Sequence, residues 1–273
     1  MFRFIKSSIL VLLATTVATG FQWHRQDTGI KEKSIKFITA QDTEGFIFAG
    51  TDRGVYMSND FGKTWRNILT IRGYPHWVNF ISINPDDNNE IFVGAQNALY
   101  QSKNLGKNWK KIFVGSSEFK QDALCLLFSD AKLYLGTRAG LFVSADQGRT
   151  WYLQDGQLAN LSIKFMAQDP KNKNLVYFAT SRGVYKTEDN FASLEHVFTS
   201  LLKEAEIQDD QETYDELEKS EININQIIID TDNSNEIYLA TQDGIFFSKE
   251  KGRNWQRMNS GGLISKQVNW LFK

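Results

Sequence analysis

Gly54-Val55-Tyr56-Met57-Ser58-Asn59-Asp60-Phe61-Gly62-Lys63-Thr64-Trp65 decides how the rest of the chain is read, because the pattern returns four more times. Its second part, SNDFGKTW from Ser58 to Trp65, reappears as SKNLGKNW from Ser102 to Trp109, SADQGRTW from Ser144 to Trp151 and SKEKGRNW from Ser248 to Trp255. A worn copy, TEDNFASL, runs from Thr187 to Leu194. The copies start 44, 42, 43 and 61 positions apart, so the last interval holds an insertion of about 18 residues.

Working outward, each box follows a short apolar run after a turn: Gly54-Val55-Tyr56, Ala98-Leu99-Tyr100, Gly140-Leu141-Phe142, Gly183-Val184-Tyr185 and Gly244-Ile245-Phe246. Before it lies a second run with an aromatic two positions ahead of a tiny residue: Phe48 and Gly50, Phe92 and Gly94, Tyr134 and Gly136, Tyr177 and Ala179, Tyr238 and Ala240. Large residues fill a gap between stacked sheets, and small ones let backbones approach. A third run opens each repeat at Ile35, Val78, Ala123, Ile163 and Ile224, and the Trp of the box is read as the start of a fourth. Four short strands per tandem unit predict an all-β fold, a β-propeller of four-stranded antiparallel blades, since one small sheet cannot bury both its faces alone.

Local structure explains the residue types in the box. Ser58, Ser102, Ser144 and Ser248, with Asp60 and Asp146, are suited to accept hydrogen bonds from turn N–H groups. Gly62, Gly106, Gly148 and Gly252 supply the positive φ of the hairpin, and Trp65, Trp109, Trp151 and Trp255 cover it and pack between blades. Asn104 and Glu250 stand where the Asp would be in two copies, which argues against a metal.

These residues resemble the BNR or Asp-box repeat families, which include bacterial sialidases, xyloglucan-degrading glycosidases, sortilin-type receptor ectodomains and photosystem II stability and assembly factor-like proteins. The pattern G-[VIL]-[YF]-x-S-x-D-x-G-x-T-W at Gly54 to Trp65 and Gly140 to Trp151 is specific for the superfamily, not for a function. The likeness is nearest to the assembly-factor-like and sortilin-like exported proteins. It implies a structural box at the blade rim and a non-catalytic propeller that binds a protein or acidic ligand through its loop face. The alternative is a glycosidase-like enzyme, of sialidase or xyloglucanase type, or a fragment of one. The arginine-bearing motif and catalytic carboxylates of such enzymes have no match here.

Residues 1–20 read as a signal peptide: Arg3 and Lys6, then an apolar run from Ser7 to Val17, then Ala18-Thr19-Gly20. The run is too short to span a bilayer, so residues 21–273 are expected outside the cytoplasm as one propeller: periplasmic, at the cell surface or secreted. Cys125 is the single cysteine, which leaves the core to hold the fold without disulfides. The formal charge is −1, and losing Arg3 and Lys6 leaves −3, neither of which points to nucleic acid. No transmembrane span is expected in the mature chain, and no cofactor or metal. Residues 21–25 align with the end of a box strand, while Val268-Asn269-Trp270-Leu271 reads as one more opening strand. Two explanations stay open: truncation of a six- or seven-bladed ring, or five blades with irregular terminal strands.

The loops after the second strands are expected to share a face with the interblade loops. Arg53, Arg138 and Arg182 are read there at equivalent positions, with Arg72, Tyr74, His76 and Trp77 in the interblade loop. Guanidinium groups beside aromatics suit carboxylates, an acidic glycan or an acidic protein segment. Asp52, Asp155 and Asp243 are the carboxylates nearest such a site, with no catalytic motif around them. The insertion at 200–222 carries nine acids against Lys203 and Lys219. It reads as a solvated excursion, or as a segment competing for the arginine face.

Overall fold

The computed structural model describes residues 26–32, 34–41, 45–72, 77–96, 98–115, 122–189, 191–199, 223–258 and 267–271. The expected signal peptide at 1–20, residues 21–25, Tyr74, His76 and the expected insertion at 200–222 lie outside them. Every regular element among the described residues is a strand, twenty in all, forming five four-stranded antiparallel sheets. Each sheet takes its strands in chain order.

Blade 1 comprises β1 (Ile35–Ala40), β2 (Ile47–Thr51), β3 (Gly54–Ser58) and β4 (Arg66–Thr70). Blade 2 has β5 (Val78–Asn84), β6 (Asp87–Ala95), β7 (Ala98–Ser102) and β8 (Lys110–Phe113). Blade 3 has β9 (Ala123–Ser129), β10 (Lys132–Thr137), β11 (Gly140–Ser144) and β12 (Tyr152–Leu153). Blade 4 has β13 (Ile163–Gln168), β14 (Val176–Thr180), β15 (Gly183–Thr187) and β16 (Glu195–Thr199). Blade 5 has β17 (Ile224–Ile229), β18 (Ile237–Thr241), β19 (Gly244–Ser248) and β20 (Gln256–Arg257). Fourth strands start one residue after the Trp position, not at the Trp expected to open them; the indoles of Trp109 and Trp255 are turned out of the ladder to reach the preceding blade. The chain divides between Ala123 and Leu124 into two compact units, one holding the first two blades and the other the last three.

Within the first unit, Phe48, Val55, Met57 and Leu69 of blade 1 pack on Val78, Ile81, Ile91 and Val93 of blade 2. Second strands are buried on both faces, as β2 and β14 are throughout, so they read as continuous apolar runs. Burying one such ring or branched side chain contributes about 1.5–3 kcal/mol. Gly50 is small for a reason: a Cβ there would lie 2.6 Å from Val78 Cγ1 across the blade gap. In the second unit, Tyr134 and Leu141 of blade 3 meet Ile163 and Phe178 of blade 4, and Tyr177 and Val184 of blade 4 meet Ile227 and Leu239 of blade 5. Cys125 belongs to the first of these layers, where burial pushes its thiol up and makes it a packing residue.

A bulge recurs at the second residue of the inner strand, at Lys36, Asn79, Lys164 and Asn225. The bulged side chain leaves the ladder and ties forward. Asn79 Nδ2 donates to Ala123 O at 2.8 Å, Asn225 Nδ2 to Val268 O at 2.8 Å, and Lys164 Nζ to Asn223 Oδ1. Residues 268–271 therefore lie on β17 in the same relation as an inner strand to its predecessor. Residues 26–28 repeat an outer-strand relation: Trp65 Nε1 donates to Gln26 O at 3.0 Å, as Trp109 Nε1 donates to Ile68 O and Trp255 Nε1 to Val197 O.

Candidate functional site

Each blade has a box end, where its third strand turns into its fourth, and a turn end, where its second turns into its third. The chemistry differs between them. At the box end of blade 1, Ser58 Oγ accepts from Gly62 N at 2.8 Å and donates to Asp60 Oδ1 at 2.7 Å. Asp60 Oδ1 also accepts from Thr64 N at 2.9 Å, and Oδ2 from Thr64 Oγ1 at 2.6 Å. Blade 3 repeats these bonds from Ser144 and Asp146, and blade 4 from Thr187 and Asp189. The hydroxyl of the residue four after Asp60, Asp146 or Asp189 and the turn N–H groups hold each carboxyl at about 2. Such carboxylates have their oxygens committed to the hairpin, so their role is to hold it. Asn104 takes the place in blade 2, accepting from Asn108 N at 2.8 Å. In blade 5, Glu250 Oε2 accepts from Asn254 Nδ2 at 2.6 Å instead. Ser102 and Ser248 still accept from Gly106 and Gly252 N, and the packed indoles of Trp109 and Trp255 close those two hairpins.

Both residues at the corner of the box have positive φ. Gly62 is at 85°, and the residue before it, Phe61, is at 60°. Leu105, Gln147 and Lys251 repeat Phe61. In blade 4 the glycine position is Phe191, at 69°.

The turn end is built by a device that the sequence reading missed. Thr51, Thr137, Thr180 and Thr241, all buried, each use Oγ1 to donate to the glycine carbonyl three residues on and to accept from the amide two residues on. The signal was a T-x-x-G repeat, present in every blade except the second, where Ala95 and Ala98 replace it. Arg53 and Arg182 occupy the same place in this turn, directly before the glycine. Arg138 falls one residue earlier, so the three are not equivalent as expected; Ala139 holds that place in blade 3 and Asp243 in blade 5. Asp243 pairs with Arg257, whose Nη2 lies 3.0 Å from Oδ1.

In the first unit Arg53 and Arg72 are brought together by backbone, since Ile71 N donates to Arg53 O at 2.9 Å. Both are exposed, and Trp77 nearby in sequence is 41% exposed. In the second unit Arg138 and Arg182 stand exposed on neighbouring blades. His196 is bound into the Arg182 turn, with Nε2 3.1 Å from Arg182 O and its ring stacked on Tyr185 at 4.6 Å. Asp52 and Asp155 are exposed loop residues.

Asp169, Asp230 and Glu90 are buried at the box end, and Asp122 is buried ahead of β9 at the turn end. Asp169 accepts from Lys171 N at 2.8 Å, and Asp230 from Asp232 N at 2.7 Å and Asn233 N at 3.0 Å, so both shape loops. An open cleft of about 680 Å³ between the boxes of blades 4 and 5 includes Lys186, Glu188, Glu195 and Lys251. Lys186 is neutralised there by Glu195 at 2.8 Å and Glu188 at 3.3 Å. Among the described residues no group of three or more His, Cys, Asp or Glu could hold a metal, and no helix is long and apolar enough to cross a membrane.

The BNR-Asp box repeat profile matches residues 99–112, which span the strand and box of blade 2. No curated protein matches the chain in sequence. Among solved structures, an ancestral GH74 enzyme superposes with a TM-score of 0.65 at 17% identity, over 93% of this chain and 34% of that one. An extracellular domain from B. thetaiotaomicron, described as part of a hybrid two component system, gives 0.63 at 14% identity over 89% and 32%. The GH74 xyloglucanase from Xanthomonas campestris gives 0.57 at 16% identity over 77% and 35%. The chain thus spans about a third of the length of these structures, and the likeness is one of fold. Its five four-stranded antiparallel sheets, each taking its strands in chain order, and its likeness to these structures give the chain the β-propeller fold, with a BNR-Asp box repeat matched in the second sheet.

Proposed function

We propose that this propeller is a non-catalytic, exported binding or assembly module that engages an acidic partner, a carboxylate-rich protein segment or an acidic glycan, through its turn ends. One observation carries the reading. The guanidinium groups of Arg53, Arg72 and Arg182 are exposed and make no ion pair or side-chain hydrogen bond among the described residues. The box carboxylates, by contrast, are committed to their hairpins. A guanidinium presents a planar fork to a carboxylate or sulfate, and Trp77 is an exposed aromatic five positions after Arg72 in the chain. Asp243, a turn-end carboxylate, is taken by Arg257.

Poly-L-glutamate and heparin serve as probes for acidic protein and acidic glycan, titrated calorimetrically at low and moderate salt. Arg53→Ala with Arg72→Ala is expected to weaken binding of the preferred probe roughly tenfold, and salt to weaken it further. Lys249→Ala with Arg253→Ala, at the box end, leaves it unchanged. Equal weakening by both pairs, or no binding at low salt, would overturn the proposal.

A further inference from the structure

We propose that the cleft between the boxes of blades 4 and 5 binds a small zwitterion, a free amino acid or a short peptide with open termini. Both blades belong to the second unit, and the cleft includes none of the turn-end residues, so this site stands apart from the acidic-partner reading. Its two walls carry opposite charge. On the blade 4 wall two carboxylates, Glu188 and Glu195, stand against one ammonium, Lys186; on the blade 5 wall three cations, Lys249, Lys251 and Arg253, stand against Glu250. No apolar residue lines the cleft, and its volume of about 680 Å³ is that of a small-molecule site.

Comparison of the blades shows that the acidic wall is not needed for the fold. Lys186 and Glu195 face each other across β15 and β16. The same cross-strand pair is Met57 with Arg66 in blade 1, Gln101 with Lys110 in blade 2, Val143 with Tyr152 in blade 3 and Phe247 with Gln256 in blade 5. Blade 4 alone puts a charge at the first of these positions, and the Lys186 side chain is only 7% exposed. A buried ion pair adds little stability over an apolar side chain of similar size, because desolvation offsets the attraction. What Lys186 does is hold two carboxylates at the cleft, Glu195 at 2.8 Å and Glu188 at 3.3 Å, while leaving them 59% and 46% exposed. The facing wall is fixed as well: the Tyr177 hydroxyl donates to Lys251 O at 3.3 Å, and Lys251 N donates to Asn235 O at 2.9 Å. Lys251 Nζ lies 4.0 Å from Glu188 Oε1, so both walls come within reach of one small ligand. Opposed fixed charges favour a dipolar ligand and reject a polyanion, which would meet Glu188 and Glu195 on entry.

Triglycine titrated into the isotope-labelled full chain and followed by NMR tests this, beside acetyl-triglycine, which lacks the ammonium, and triglycinamide, which lacks the carboxylate. Saturable shifts are expected in the boxes of blades 4 and 5 with a Kd of the order of 1 mM, and each blocked peptide should bind roughly tenfold more weakly. Lys186→Met with Glu195→Arg installs the Met57 and Arg66 pair of blade 1, where Arg66 Nη2 lies 4.0 Å from Met57 Sδ. This double variant is expected to fold as the wild type does and to weaken triglycine binding roughly tenfold. Lys251→Glu, at a partly exposed corner, is expected to weaken it as much and reads the other wall should the double variant misfold. No saturable shift in these boxes, equal binding of either blocked peptide, or full binding by either folded variant would each overturn the proposal.

Discussion

The boxes of blade 1 and blade 4 make the same hairpin from different residues, and the comparison separates what the motif needs from what decorates it. Ser58 and Thr187 donate and accept the same bonds, as do the pairs Asp60 with Thr64 and Asp189 with Ser193. Glycine and tryptophan differ. Blade 1 has Gly62 in the left-handed corner and Trp65 on Gln26 O. Blade 4 has Phe191 in the corner and Leu194 at the Trp position. A phenylalanine at φ 69° carries strain of the order of 1 kcal/mol. Its ring stacks on Tyr134 at 4.3 Å and meets Phe178 edge-on at 5.7 Å, filling the layer that the indole fills elsewhere. Aromatic pairs of this kind contribute about 0.5–1.5 kcal/mol beyond burial, enough to offset the strain. The worn box is therefore a repacked one, with the aromatic moved three residues upstream.

The largest break in the comparison is Trp65→Ala, expected to cost about 3–5 kcal/mol by denaturant unfolding, whereas Leu194→Ala costs about 2 because half-buried Leu194 carries less of its layer. Phe191→Ala comes next at about 3 kcal/mol. Phe191→Gly should be milder than Phe191→Ala by about 1 kcal/mol although it removes more atoms, because glycine accepts the left-handed corner. The reverse order would mean that the corner is unstrained.

Ser58→Ala and Thr187→Ala should cost nearly the same, about 1–2 kcal/mol each, since both hydroxyls are buried and serve the same N–H. The smallest effect is in acid. Asp60 and Asp189 sit at about 2 against an ordinary 3.8, so the stability they contribute is whole above about pH 4 and is lost as the pH falls toward 2. Asp60→Asn with Asp189→Asn should flatten the melting temperature between pH 4 and 2 by lowering it at pH 7 toward the value the wild type reaches in acid, with the fold kept because Asn104 holds its own box in blade 2 without a charge.

Much of this was legible beforehand. Periodic apolar runs with a turn and a box between them specify four strands per repeat, and Gly50 and Gly136 announced the close blade approach. The turn end was harder to read. A threonine closing a β-strand looks like a strand former, so the T-x-x-G hydrogen bonds of Thr51, Thr137, Thr180 and Thr241 were hidden by ordinary β propensity. Arg138 was misplaced by one residue because the T-x-x-G spacing that sets the register of this turn was not recognised. The Asp243–Arg257 pair joins two strands through a contact that no local pattern records.

Native-state hydrogen exchange at the box corners tests the central claim most directly, namely that a buried hydroxyl holds every hairpin whatever the carboxylate, glycine or tryptophan has become. The account predicts protected amides at Gly62, Gly106, Gly148, Phe191 and Gly252, the five that donate to a Ser or Thr Oγ, with rates indifferent to added calcium. Fast exchange at Phe191 or Gly252, or protection that appears only with calcium, would contradict it.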